Sequence, residues 1–259
     1  MIVAAYQCFS PEGNIKNALA AVDKTLAKAA NKNVEMVVFP ELYLPGYNQM
    51  KSHPVVAQKQ GGSWETKLAA LAKKHGCGLT IGWAERYGDS IYNSASAFDR
   101  AGTKLAHFRK IQLWGKTEQE IFKFGDSYVT FELGGRKIGL LICYDVEFPH
   151  HVQSLAKMGV QLLLVPTANP TNFSEVNTTL VPARALENAI SIVYANYCGS
   201  DNGLSFCGQS TIVDPIAQPL ASASPDDEDL LIADLSSINK IDTALLSTQL
   251  ADFRKVPSK

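Results

Sequence analysis

Apolar residues open the chain in a short run of β type, residues 1–8, and from Ser10 the pattern changes. Ile15, Leu19, Val22, Leu26 and Ala30 recur at spacings of three and four, which predicts an amphipathic helix with Ser10 as N-cap and Pro11 at its first position. Residues 34–40 then read as a buried strand, 63–76 as a helix and 78–87 as a third strand. The order strand, helix, strand, helix, strand predicts a parallel core with crossover helices. Strand-like runs follow at 91–98, 104–113 and 128–133, and Gly134-Gly135 predicts a hairpin turn into the run that ends at Cys143. A helix over about 148–158, a strand over 160–168, a helix around 177–188 and a strand over 190–198 come next. Strands near 206–213 and 229–235 and a polar tail with one short helix complete the pattern. The second half thus repeats the order of the first without repeating its sequence. The acidic stretch 222–230 is too short for a linker and reads as a solvated loop.

At 259 residues and 46% apolar content, the chain can bury one substantial core. A formal net charge of -1 and a pI near 6.5 give no broad electrostatic reason to expect nucleic acid or an anionic membrane as partner. The first residues lack a basic flank and a long apolar stretch, so they read as neither signal peptide nor membrane anchor, and a cytoplasmic location is expected. Cys8, Cys77, Cys143, Cys198 and Cys207 are odd in number and form no C-x-x-C pair, which fits a reducing compartment.

Ligands in α/β proteins gather beyond the carboxyl ends of strands. Three polar residues fall at such ends: Glu41 after Val-Val-Phe-Pro, Lys110 in Phe-Arg-Lys-Ile and Cys143 after Leu-Leu-Ile. Each alone has an ordinary explanation, as a solvated acid, a surface charge or a packed thiol. Together they are the parts of acyl transfer: a base, a cation for a developing oxyanion and a nucleophile.

Segments 37–47, 108–113, 139–168 and 180–196 resemble, in order and over nearly the whole chain, the carbon-nitrogen hydrolases of the nitrilase superfamily. The resemblance implies an α/β fold, a four-layer α-β-β-α sandwich formed as one domain over 1–259 with a tail from about 236. It also implies that Glu41, Lys110 and Cys143 are catalytic, with Cys143 on a turn whose following helix offers its N-terminal amides to a thiolate or oxyanion. A second family glutamate is expected seven or eight residues after the lysine. Glu118 fits best, Glu120 is the alternative, and Thr117 stands at the other spacing. The backbone N–H of Tyr144 is expected to hold the oxyanion, and Tyr47, Asn169 and Glu147 to join Tyr144 around the substrate. No metal or organic cofactor is implied. A homodimer or larger assembly through helices 148–158 and 177–188 is.

Cys-Tyr-Asp after the strand resembles the amidase and carbamoylase branches, and residues 143–149 resemble aliphatic amidases most, although His150 replaces a usual glutamate. A small amide is therefore the expected substrate, with an N-carbamoyl compound, a nitrile or acyl transfer to an amine as alternatives. Family members acting on carboxylate-bearing substrates commonly place an arginine four residues past the nucleophile. Here that residue is Glu147, which favours neutral or amine-bearing amides over anionic ones. Arg109 should point away from Lys110, and Arg184 falls in the structural helix, so neither replaces that arginine. His150 and His151 are adjacent and diverge on a helix, which disfavours a metal site. His107 is out of phase with Lys110 on its strand and should face the other way.

Overall fold

The computed structural model describes residues 1–256. The first half supplies β1 (Ile2–Gln7), α1 (Ile15–Ala30), β2 (Met36–Val38), the short α2 (His53–Val56), α3 (Ser63–His75), β3 (Gly78–Tyr87), β4 (Ser90–Phe98), β5 (Lys104–Arg109) and α4 (Gly115–Ile121). The second supplies β6 (Thr130–Leu133), β7 (Arg136–Leu140), α5 (Pro149–Lys157), β8 (Leu162–Pro166), α6 (Val181–Asn188), β9 (Ser191–Ala195) and the small hairpin β10 (Ser200–Asp201) and β11 (Leu204–Ser205). β12 (Thr211–Val213), β13 (Pro219–Ser222), β14 (Asp229–Asp234) and α7 (Gln249–Asp252) follow.

Two six-stranded sheets result, ordered β14-β1-β2-β3-β4-β5 and β13-β12-β9-β8-β7-β6. In each, three consecutive parallel strands, β1-β2-β3 and β7-β8-β9, are joined by crossover helices, and antiparallel strands flank them. This is the repeated strand and helix order of the sequence made physical. Alternation along β1 shows how the layers are built. Val3 and Ala5 face the second sheet with Met36 and Val38, while Ala4 and Tyr6 face α1 and α3 with Val37, Val22 and Leu68. On the far side, Val152 and Leu155 of α5 and Val181 and Ala185 of α6 cover the second sheet. The fold is the four-layer α-β-β-α sandwich.

Several boundaries move, each for a local reason. Ser10 is not the cap of α1. Its hydroxyl donates to Asp201 Oδ2 (2.7 Å), residues 11–13 turn, and Asn14 caps the helix by accepting from the Asn17 amide. The expected helix at 177–188 is α only from Val181, because a π-turn over Val176–Leu180 precedes it. The expected strand at 104–113 ends at Arg109, and that at 206–213 forms only over Thr211–Val213, with β11 lying just before it. β13 forms where no strand was read, and β14 begins inside the stretch 222–230. The Gly134-Gly135 turn is as expected, both residues having positive φ between the antiparallel β6 and β7. Among the described residues, no helix is long and apolar enough to cross a membrane.

Candidate active site

Glu41 lies three residues beyond β2, on a turn that reaches across both sheets. Its amide donates to Thr167 O just after β8 (3.2 Å), and its carbonyl accepts from the Tyr197 hydroxyl (2.9 Å). The turn can lie this close to β3 because residue 82 is glycine. A Cβ there would sit 2.3 Å from the Leu42 amide nitrogen. The carboxylate is fully buried, and its Oε1 accepts from Lys110 Nζ (2.6 Å) and Asn93 Nδ2 (2.7 Å). Its Oε2 is buried without a hydrogen-bond partner among the described residues.

Lys110 follows the last residue of β5, with its backbone amide still bonded to Asn93 O (2.8 Å). Its side chain is buried and spends its three donors on Glu41 and on both oxygens of Glu118, each at 2.9 Å. Glu118, not Glu120, occupies the place beside the lysine, while Glu120 and Thr117 are exposed. The Glu118 carboxylate also accepts from the Trp114 amide (2.9 Å), which ties it to the start of α4, and from the Tyr47 hydroxyl (2.6 Å). The hydroxyl of Tyr47 is thus committed to Glu118, and its ring is what the cavity sees. His53 Nε2 holds the Tyr47 carbonyl from behind (3.1 Å).

Cys143 departs from the expected geometry in two ways. β7 ends at Leu140, and the residue after the nucleophile candidate does not begin the α-helix. A 3-10 turn spans Cys143–Glu147, and α5 starts only at Pro149, so its N-terminal amides are not at the thiol. The cysteine itself takes a positive φ of 45°, a conformation that L-residues rarely adopt and that sets it on a sharp bend. Asp145 secures this bend. Its Oδ2 accepts from the Ile142 amide (3.0 Å), and its Oδ1 accepts from the amides of Ile111 (3.1 Å) and Gln112 (2.6 Å). One buried carboxylate thereby joins the Cys143 turn to the segment carrying Lys110.

A cavity of about 190 Å³ opens over Cys143. Tyr144, Glu147, Tyr47, Asn169, Trp114 and Phe173 are among its walls. Trp114 and Phe173 meet edge to face, with ring centroids 5.8 Å apart. A second cavity of about 300 Å³ shares Tyr47 and Trp114 and runs toward the β10-β11 hairpin. Asn169 borders the first cavity but donates its amide to Phe173 O (2.7 Å) and Asn177 Oδ1 (2.7 Å), so it shapes the wall.

Burial dominates the electrostatics. It pushes the Cys143 thiol well up, and Glu41 adds to the rise. Lys110 and the hydrogen bonds of Ala168 and Thr167 oppose it. Burial also raises Glu41, against the pull of Lys110. For Lys110 burial favours the neutral amine, but Glu118 and Glu41 outweigh it and hold the ammonium form. Burial lifts Asp145 to about 7, with Lys110 and the amides of Gln112 and Ile142 pulling back. The resting thiol is therefore held protonated, and Glu41, the carboxylate whose charge acts on it, has a free oxygen.

Sequence reasoning missed Asn93, Gly82, Asp145, Trp114 and Phe173. Only Gly82 carried a signal, a glycine within an otherwise continuous strand pattern. His107 and Arg109 face away from the cluster, both bonding Glu85 (2.9 Å, and 2.8 and 2.6 Å). His151 bonds Gln112 and Tyr128, His150 is exposed, and among the described residues no group of three or more potential ligands could hold a metal ion.

The profile of the carbon-nitrogen hydrolase family matches residues 2–240. A protein of Pseudomonas protegens described as a hydrolase in the pqqF 5′ region is 35% identical over 98% of this chain and 89% of its own length. A nitrilase of Pyrococcus abyssi is 34% identical over 91% and 90%. Among solved structures, the amidase of Nesterenkonia sp. AN1, a double mutant in complex with acrylamide, superposes with a TM-score of 0.89 at 32% identity, covering 98% of this chain and 94% of that one. An α-β-β-α hydrolase with a buried acid, lysine and cysteine is what fold and site define together. The chain belongs to the carbon-nitrogen hydrolase family.

Proposed function

We propose that the chain is a cysteine-dependent amidase that hydrolyses a small carboxamide to a carboxylic acid and ammonia through a thioester. The observation that carries the assignment of roles is the division of labour on Glu41. One carboxylate oxygen is fixed by Lys110 and Asn93, and the other is buried and unpartnered in the cluster that includes Cys143. Amidases among the structural neighbours support the amide bond as target, as does the likeness of Cys-Tyr-Asp to the amidase branch.

The free Glu41 oxygen takes the Cys143 proton, and the sulfur attacks the amide carbon. A C–S bond forms while the carbonyl π pair moves to oxygen, where Lys110 Nζ and the Tyr144 amide stabilise it. Glu118 holds two of the lysine's three N–H bonds, and loosening one frees a donor for the oxyanion. Collapse breaks the C–N bond, with the Glu41 proton delivered to departing ammonia. Water then gives a proton to Glu41 and attacks the thioester, the C–S bond breaks, and the thiol is restored. These steps use only the chain's own groups, so no cofactor is assigned.

The remaining expectations stand as parts of the same proposal: a single domain, a cytoplasmic location and a homodimer. Half-exposed Met158 and Leu186, on the α5 and α6 side, support self-association there, and five free cysteines agree with a reducing compartment. The test is ammonia release from butyramide, an N-carbamoyl amino acid and a nitrile, with an acyl adduct sought on Cys143 by mass spectrometry and hydroxylamine added to reveal acyl transfer. Amide turnover that disappears in Cys143→Ala is expected. Turnover of the nitrile or carbamoyl compound in preference to the amide, or unchanged turnover by Cys143→Ala, overturns it.

A further inference from the structure

The wall of the cavity over Cys143 carries one acid whose partner is not in the protein. Glu147 closes the 3-10 turn, half-buried, with Cys143, Tyr144 and Phe173 around the same cavity. Among the described residues, no hydrogen bond or ion pair reaches its carboxylate. The cations near it are both committed elsewhere. Lys110 spends its donors on Glu41 and Glu118. Arg184 donates to the carbonyls of Val146 (3.1 Å) and Glu147 (2.7 Å) and to the Glu187 carboxylate (3.1 Å). Desolvation raises the Glu147 carboxyl, the charges of Lys110 and Arg184 oppose this only in part, and a cation in the cavity would favour the charged form further.

The neighbouring charges point the same way. Glu41 and Glu118 both pair with the single ammonium of Lys110, so the reacting centre has more acid than base around it even before Glu147 is counted. A carboxylate on the acyl chain would meet this field unfavourably, and an ammonium favourably. Elsewhere the wall includes the aromatic rings of Tyr144, Trp114 and Phe173, which suit both a short carbon stem and a cationic head. A volume of about 190 Å³ limits the acyl group to a small one.

Building on the amidase reading, we propose that Glu147 selects small amides whose acyl chain carries a protonated amine. The sequence-based expectation of neutral or amine-bearing amides is thereby narrowed to its amine-bearing arm.

Isosteric pairs test this: alaninamide against isobutyramide, β-alaninamide against butyramide, and succinamate as the anionic counterpart. With the wild-type enzyme, kcat/KM is expected to be about tenfold or more higher for the ammonium member of at least one pair, with succinamate poorest. In Glu147→Gln that ratio is expected to fall to near one, and in Glu147→Arg succinamate is expected to overtake the ammonium amide. A wild-type enzyme that handles the neutral isosteres as well as both ammonium amides, or prefers succinamate, overturns the proposal without any variant being needed. So does an ammonium preference that survives Glu147→Gln. Ammonia from butyramide without charge discrimination defeats only the role of Glu147. Ammonia from none of the five amides defeats the amidase reading beneath it.

Discussion

Each polar group at the site is useful because its neighbours have removed its alternatives. Glu41 has one oxygen immobilised and one left open, and the Cys143 thiol is kept protonated by burial until a base acts. Glu41→Gln preserves the shape and the Asn93 contact but removes the proposed base. A loss of about a hundredfold or more in kcat is expected, measured as ammonia release at saturating butyramide, with little change in the far-UV spectrum. A rate within a few-fold of wild type would make Glu41 a structural acid. Asn93→Ala leaves the base but frees its orientation, so a smaller loss of kcat is expected, with the pH profile retaining its shape. Of these residues, Glu41, Lys110 and Cys143 were legible because each is a polar residue beside an apolar strand run. Asn93 was not, because an asparagine inside a strand looks the same whether it bonds a neighbour or a carboxylate from another turn.

Elements meet the site through a few buried polar ties. Asp145 joins the nucleophile turn to the end of β5 by accepting three backbone amides. Asp145→Asn turns an amide NH₂ toward one of those donors, and a loss of about 1–3 kcal/mol in unfolding free energy is expected from denaturant titration, together with reduced kcat. A second tie lies on the outer side of β3, β4 and β5, where Glu85 is buried. Burial raises its carboxyl, yet Arg109, His107 and Ser94 overcome this and hold it well below the usual carboxylate range. For an acid with a depressed folded-state pKa, the stabilisation is complete above the unfolded value of about 4.3 and fades as pH falls through the folded one. The melting-temperature gap between wild type and Glu85→Gln is therefore expected to be widest near neutral pH and to close as pH is lowered below about 4. A gap independent of pH would mean that the charge of Glu85 contributes nothing.

At the scale of the molecule, the cluster also pins the two sheets together. Glu41 departs from the first sheet, accepts Lys110 from the same sheet, and is anchored by Thr167 and Tyr197 of the second. Lys110→Ala would leave two carboxylates buried without their cation. A loss of about 3–5 kcal/mol is expected in denaturant unfolding, with acid restoring part of it by protonating the pair. If the proposed dimer forms through α5 and α6, Leu186→Arg is expected to yield monomers in light scattering at micromolar concentration, while wild type gives dimers or larger. Wild-type monomers would count against that assembly.

The sequence by itself determined the repeated strand and helix order of the two halves and set Glu41, Lys110 and Cys143 beside strand runs, because hydrophobic periodicity and strand ends are local properties, while the layers came from the family resemblance. It also placed Gly134-Gly135 in its turn and turned Arg109 and His107 away from Lys110, since alternation along a strand is local too. Tertiary structure decided the rest. It chose Asn14 over Ser10 as the cap because Glu12 and Gly13 take positive φ, so the helix starts only after them, while Ser10 ties to Asp201 far along the chain. It brought Glu118 rather than Glu120 to the lysine because α4 turns only that face inward. It put Cys143 on a left-handed bend held by Asp145, and left Glu147 facing the cavity unpaired. Which polar group finds a partner depends on segments distant in sequence and close in space, and no periodicity records that distance.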